Sequence, residues 1–182
     1  MTKTEGILIG KSPLTETSLI IHWCTKDCGF IKTVAKGASR PRSVFAGKLD
    51  LFFSAEIELA RSRSSDLHIL REAVVTVPRS GLNSYLRLLA AAYFVKLLEL
   101  VAEKETPIPE LYDLLRRALD HLQRQDPDLR AILYFEKETA RILGVHSASS
   151  RTGIQAIGRV YQRVPQQRQK VMAALRQQSG PA

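Results

Sequence analysis

Three groups of residues in this 182-residue sequence have types and spacings that could do chemistry. His22, Cys24 and Cys28 put one imidazole and two thiols close together. On a strand His22 and Cys24 would point the same way, because side chains alternate, and Cys28 lies just past a turn. A structural zinc needs four ligands, and only His68, His121 and His146 remain as such donors. Two ordinary buried thiols are the plainer reading, and the spacing suits a Cys–His nucleophile pair still less. The second group is Gly47-Lys48, which resembles the end of a phosphate-binding loop. Arg42 stands where that loop needs its first glycine, and Leu49 where Ser or Thr would hold magnesium. Neither G-x-S-x-G nor H-E-x-x-H occurs, and Glu56 and Glu58 alternate as a solvated strand face does. The sequence therefore predicts a protein that is not an enzyme, with no cofactor and no metal.

The third group is basic. Lys32, Lys36, Arg40, Arg42 and Lys48 fall within residues 31–49, which hold no acid, and Gly37 sits among them. The chain has 27 bases and 18 acids, a net charge of +9 and a pI near 9.8. The excess lies at the two ends: residues 1–80 have 12 bases and 8 acids, and residues 147–182 have six bases and no acid. Phosphate polymers are drawn to such blocks, since each neutralised phosphate releases counterions. Dispersed bases serve solubility alone; a one-sign block beside glycines favours binding. Lys36, Arg40 and Arg42 lead the candidates for phosphate contact, followed by Lys32, Lys48, Arg61 and Arg63. Gly37 would let the backbone turn tightly beside a ligand. Phe30, Phe45, Phe52 and Phe53 are read both as stacking platforms and as strand core.

The elements that would position these residues change character along the chain. With 45% apolar and 25% charged residues, the composition is that of a folded protein. Glycine-bounded or alternating runs at 6–10, 18–24, 29–36, 54–60 and 67–77 predict five short strands separated by turn residues. Five strands in about 70 residues suggest a small barrel or sandwich. From residue 82 the period becomes helical. Leu82, Leu86, Leu89, Tyr93, Leu97 and Val101 mark a first helix, apolar nearly all round and so central. Thr106-Pro107-Ile108-Pro109 breaks it. Leu111, Leu114, Leu115, Ala118, Leu119 and Leu122 mark a second helix. A third is predicted with Asp126 as N-cap, Pro127 in its first turn and Gly144 past its end. Ser147–Ser150 reads as a linker, 151–163 is too weakly patterned to assign, and 165–177 could form a short amphipathic helix. The predicted organisation is α+β: residues 1–80 a nucleic-acid-binding barrel, 81–146 a helical domain, 147–182 a basic tail. No apolar run approaches the ~18 residues of a membrane span, and the N-terminus lacks a signal-peptide core. Two cysteines make no disulfide framework. The expectation is a cytoplasmic protein without a membrane partner.

The stretch Val34-Ala35-Lys36-Gly37-Ala38-Ser39-Arg40-Pro41-Arg42-Ser43, followed by Gly47-Lys48-Leu49-Asp50-Leu51-Phe52, resembles the N-terminal domain of the RecO family of bacterial recombination mediators. Gly6 to Ile9, Glu16 to Ile20 and Gly29-Phe30-Ile31-Lys32 fit the family's first three strands, and Tyr93 to Leu100 fits its helical part. The resemblance covers about residues 5–145. It implies an OB-fold barrel followed by a helical domain, binding of single- and double-stranded DNA, annealing of complementary strands, and help in loading the recombinase RecA. It also implies two protein partners, RecR and the acidic tail of single-stranded-DNA-binding protein, and a place at the bacterial nucleoid. Many members carry a four-cysteine zinc module, for which this sequence has no cysteine beyond Cys28, so it reads as a shortened member lacking that module. Residues 147–182 match no part of the pattern; they are read as a DNA clamp or as an unstructured appendage. Two other readings stay open: an adaptor whose leucine-lined helical groove takes an acidic, aromatic-ended peptide, and an RNA-binding OB protein.

Overall fold

A computed structural model describes residues 1–146 and 149–178; the linker expected at Ser147–Ser150 lies half outside them. The chain divides into two compact units. The first holds Met1–Arg79 and Ala102–Tyr112, and the second holds Ser80–Val101 and Asp113–Ala182.

The first unit is built on five strands: β1 (Thr2–Pro13), β2 (Leu19–Thr25), β3 (Gly29–Ala35), β4 (Ser54–Ala60) and β5 (Leu67–Val77). They close into a barrel in the order β1-β2-β3-β5-β4, with β4 returning to pair with β1. All neighbours are antiparallel except β3 and β5, which run parallel from Lys32↔Leu67 to Val34↔Ile69. This is the expected OB barrel. Alternation decides which side chains enter it. Ala55, Ile57 and Leu59 point inward and are almost fully buried, while Glu56 on the same strand is exposed. Ile31 and Ala35 of β3 join Ile21 and Trp23 of β2 in the same core, and the Trp23 indole donates to the Thr33 hydroxyl at 2.9 Å. Phe30 and Lys32 therefore face outward, as the period of two requires.

The second unit contains α1 (Tyr85–Val101), most of α2 (Pro109–Arg124), α3 (Leu129–Ile142), α4 (Gly153–Tyr161) and α5 (Gln167–Gln178). Nine residues of α1 are buried, so it is the central helix its all-round apolarity predicts. Phe94 stacks on Phe135 of α3 with ring centroids 4.0 Å apart. The N-cap of α3 is Asp128, not Asp126: the Asp128 carboxylate accepts the Ala131 N–H at 2.8 Å. Asp126 instead takes the Arg87 guanidinium at 2.6 Å, which holds its carboxyl below the usual range. A cap two residues later leaves Pro127 ahead of the helix. Gly144, at φ +67°, ends α3 as expected. Its N–H donates to Arg141 O and the Val145 N–H to Ala140 O, closing the last turn.

The region left unassigned by periodicity contains α4, with Ile154, Ala156 and Ile157 buried, and α5 buries Val171 and Leu175. A buried polar cluster accompanies them. The Glu136 carboxylate is fully buried; it accepts the Tyr93 hydroxyl at 2.7 Å and the Arg168 Nε at 2.7 Å. Burial, with the charge of Glu136 adding, pushes the Tyr93 hydroxyl far above its ordinary pKa. The hydrogen bond to Glu136 raises that of Arg168. Removing one partner of such a pair leaves a buried charge uncompensated.

Candidate nucleic-acid interface

In an OB barrel the outer face of strands 2 and 3, with the loops joining strands 1–2 and 4–5, takes oligonucleotides. The pairings set those parts here. Ala35, at the end of β3, pairs with Leu19, where the β1–β2 turn enters β2. Lys32, nearer its start, pairs with Leu67, where the β4–β5 loop enters β5. The two loops thus flank opposite ends of β3, with outward-facing Phe30 and Lys32 between them.

The long β3–β4 connection, residues 36–53, begins at the first of these ends. It is a chain of tight turns: the N–H groups of Arg40, Ser43, Ala46 and Lys48 donate to the carbonyls of Gly37, Arg40, Ser43 and Phe45 at 3.0–3.1 Å. Phe45 and Leu49 plug into the barrel core and Ala38 packs against it, so the apolar positions pin the loop from inside. The Ser39 N–H donates to Thr17 O at 3.0 Å and the Gly37 N–H to Ser18 Oγ at 3.3 Å, clipping the loop to the β1–β2 turn. Lys11 ties down its far end, donating to Leu49 O at 2.9 Å and Asp50 Oδ1 at 3.2 Å. Gly37 has φ +68°, which only glycine adopts without strain. The Arg40 side chain lies across it, with Cδ 3.4 Å from where a Cβ would stand.

The pinned loop sends its bases outward. Lys36, Arg40 and Arg42 are exposed and Lys48 is half-buried; none of the four makes an ion pair among the described residues. Lys32, half-buried, and Arg63, exposed in the β4–β5 loop, are likewise unpaired there. Arg61 differs: its guanidinium lies 3.6 Å from the Glu105 carboxylate.

Glu105 belongs to a strap the sequence did not reveal as part of the barrel. After α1 the chain returns to the first unit. Lys104 forms a parallel bridge with Phe30, and the Glu105 N–H donates to Phe30 O at 3.1 Å. Gly29, at φ +69°, is pressed against it so closely that a Cβ would stand 2.5 Å from Thr106 O. Lys104 reaches Asp66 at 3.4 Å. Buried His68 accepts the Ser62 N–H on Nδ1, and its Nε2 faces Glu105 at 3.5 Å. The β4–β5 loop and strap thus hold each other through charges. The available signal was the break at Thr106-Pro107-Ile108-Pro109, because residues before proline favour extended backbone.

Both the N-terminal model of the family described as Recombination protein O, over residues 1–79, and its C-terminal model, over residues 82–152, match this sequence. The chain belongs to the RecO family. Similar relatives include proteins named DNA repair protein RecO from Rhodopirellula baltica, 31% identical over 80% of this chain and 54% of that protein, and from a Cyanothece species, 32% identical over 78% and 47%. A third, from Salinibacter ruber, is 27% identical over 86% and 61%. The chain spans about half the length of the curated relatives it matches.

Two of the aromatic candidates do not reach the surface of this RecO barrel. Phe45 and Phe52 are each 5% exposed and belong to the interior, because a turn that pins a basic loop needs its large apolar side chains inside. Phe53 is half-buried, and Phe30 is half-buried on the outer face beside Lys32. Cys28 lies in the barrel core, and burial pushes the Cys24 thiol up to about 12. Among the described residues no three His, Cys, Asp or Glu side chains are placed to hold a metal ion. Nor is any helix there long and apolar enough to cross a membrane.

Proposed function

We propose that this RecO-family chain is a DNA-binding recombination mediator, working in recombinational DNA repair at the bacterial nucleoid in the cytoplasm. It binds single- and double-stranded DNA, anneals complementary strands and assists RecA loading, with RecR and single-stranded-DNA-binding protein as partners. The observation that carries the reading is the pinned loop: Lys36, Arg40 and Arg42 project from one hydrogen-bonded connection and make no ion pair among the described residues. Two DNA strands repel each other, and a surface that neutralises both lowers the cost of bringing them together. Gly37 keeps the loop backbone close to the ligand, and Lys32, Lys48, Arg61 and Arg63 extend the basic surface along the barrel. The experiment is annealing of complementary oligonucleotides, bare and coated with the cognate single-strand binder. The wild type should accelerate both reactions, and the Lys36→Ala/Arg40→Ala/Arg42→Ala variant should lose most of the acceleration. Equal rates for the two proteins would end the assignment to this loop.

A second reading rests on a cleft of about 360 Å³ in the helical unit, with Phe94, Leu114 and Phe135 among its lining residues and Arg117, His121 and Arg130 beside them. An apolar floor edged by the Arg117 and Arg130 guanidiniums, with Asp128 as the one acid in the lining, suits an acidic peptide ending in an aromatic residue, as the tail of single-stranded-DNA-binding protein would require. In this adaptor reading, peptide binding survives loss of the loop bases and is abolished by Arg117→Glu/Arg130→Glu.

A further inference from the structure

The C-terminal family model matches as far as residue 152, and the Salinibacter ruber relative, matched over 86% of the chain, reaches into α4. Residues 149–178, which carry α4 and α5, hold six bases and no acid. Arg168 is engaged by Glu136. Arg151, Arg159, Arg163, Lys170 and Arg176 are all exposed and make no ion pair among the described residues. None of these five charges is neutralised by an ion pair among the described residues; Glu99, which lines a cleft with Arg163, is itself paired with Lys96.

Part of this basic segment is organised. Arg151 and Arg159 line one cleft of about 450 Å³ together with Ser149, Gln155 and Gly158. The Arg159 guanidinium donates to the hydroxyls of Ser149 at 2.8 Å and Ser150 at 3.2 Å. Hydroxyl partners orient a guanidinium without neutralising it, and its remaining N–H groups suit phosphate oxygens. The Arg151 backbone is fixed in turn: its N–H donates to Gln155 Oε1 at 3.1 Å, and the Gln155 N–H to the Thr152 hydroxyl at 3.3 Å. Exposed side chains around the bases are largely amides, including Gln162, Gln166, Gln169 and Gln177. Guanidinium, ammonium and amide groups are the side chains that contact phosphates, sugars and base edges. The cleft has no apolar socket for a peptide anchor.

We infer that α4 and α5 form a second nucleic-acid-binding surface, which takes the sugar–phosphate backbone of a single strand. It goes beyond the barrel loop and rests on the proposed annealing role: with a basic surface on each unit, one chain can hold two strands, as annealing demands.

The test uses Arg151→Gln/Arg163→Gln/Lys170→Gln/Arg176→Gln in the full chain. Arg159 and Arg168 are left in place because they bond within the fold. Thermal unfolding checks folding, anisotropy of a labelled oligo-dT across a salt series reads binding, and mixing of complementary strands reads annealing. The expected result is a near-wild-type melting temperature, a log–log salt slope shallower by about 2–3 for four lost contacts, and annealing slowed at least tenfold. Unchanged slope and annealing rate would overturn the inference. So would loss of binding to an acidic, aromatic-ended peptide with DNA binding intact, which would make the surface a protein dock. The two surfaces fail separately: wild-type binding by the barrel-loop variant, beside loss in the α4–α5 variant, removes the loop and keeps this site. If the fourfold variant melts early, Lys170→Gln/Arg176→Gln alone should still flatten the slope by about one, and no change there would overturn the inference.

Discussion

The two ends of β3 carry the same kinds of side chain in different electrostatic states. At one end Lys36, Arg40 and Arg42 stand on a loop held by apolar anchors, and their charges meet no carboxylate among the described residues. At the other, Arg61 and Lys104 are set against Glu105 and Asp66, and those contacts help hold the loop to the strap. A cation that also serves as a structural tie must leave its partner before it can serve a phosphate. Counting bases along a sequence therefore overstates the second end. How a loop is held decides how much of its charge is available.

The contrast can be broken at its apolar side first. Phe45→Ala removes a core side chain and should cost roughly 3–5 kcal/mol of stability, measured by urea unfolding. A loss under about 1 kcal/mol would mean that the barrel does not pin the loop. On the charged side, Gly29→Ala forces a non-glycine residue into positive φ against the Thr106 carbonyl. The backbone strain costs about 1–2 kcal/mol and the clash with the Thr106 backbone adds to it, so the unfolding midpoint should fall clearly. A neutral result would show that the strap is loose.

A pH prediction concerns the outward-facing side of β2. Cys24 is buried there and its thiol is raised to about 12 from an ordinary value of 9.0. Above pH 9 the unfolded chain can ionise this thiol and the folded chain cannot, so stability should decline as pH rises from 9 toward 12. In the native protein near pH 8 a thiol reagent should label Cys24 only as fast as the chain opens, and rapid labelling would show this face to be open. The smallest effect is expected from Glu105→Gln, which releases Arg61. The pair is partly exposed, so affinity for single strands should rise by at most about fivefold, read by anisotropy at low salt. A fall in affinity would show that Glu105 positions Arg61 for the ligand.

Much of the barrel was legible because its signal is local. Alternation placed Ser54–Ala60 at its observed bounds and put Ile31, Thr33 and Ala35 on the side of β3 away from Lys32, and the turn residues before Leu67 marked the start of Leu67–Val77. The basic loop was legible because one-sign charge beside glycine needs no tertiary information. The strap was not: Lys104 and Glu105 meet Phe30, Arg61 and His68 across more than 35 residues, and no local period encodes such a contact. The aromatics were ambiguous for the same reason, since Phe45 and Phe30 look alike until the barrel assigns one to its core and the other to its surface. Asp126 and Asp128 are both capable caps, and Arg87, 39 residues away, claims the first.

The most direct test of the central claim is the salt dependence of single-strand affinity, measured side by side for the two ends of β3. Lys36→Ala/Arg40→Ala/Arg42→Ala should flatten the log–log slope by about two, as expected for three lost phosphate contacts, while Arg61→Ala should change it by well under one. Equal changes at both ends, or an unchanged slope in the loop variant, would contradict the account.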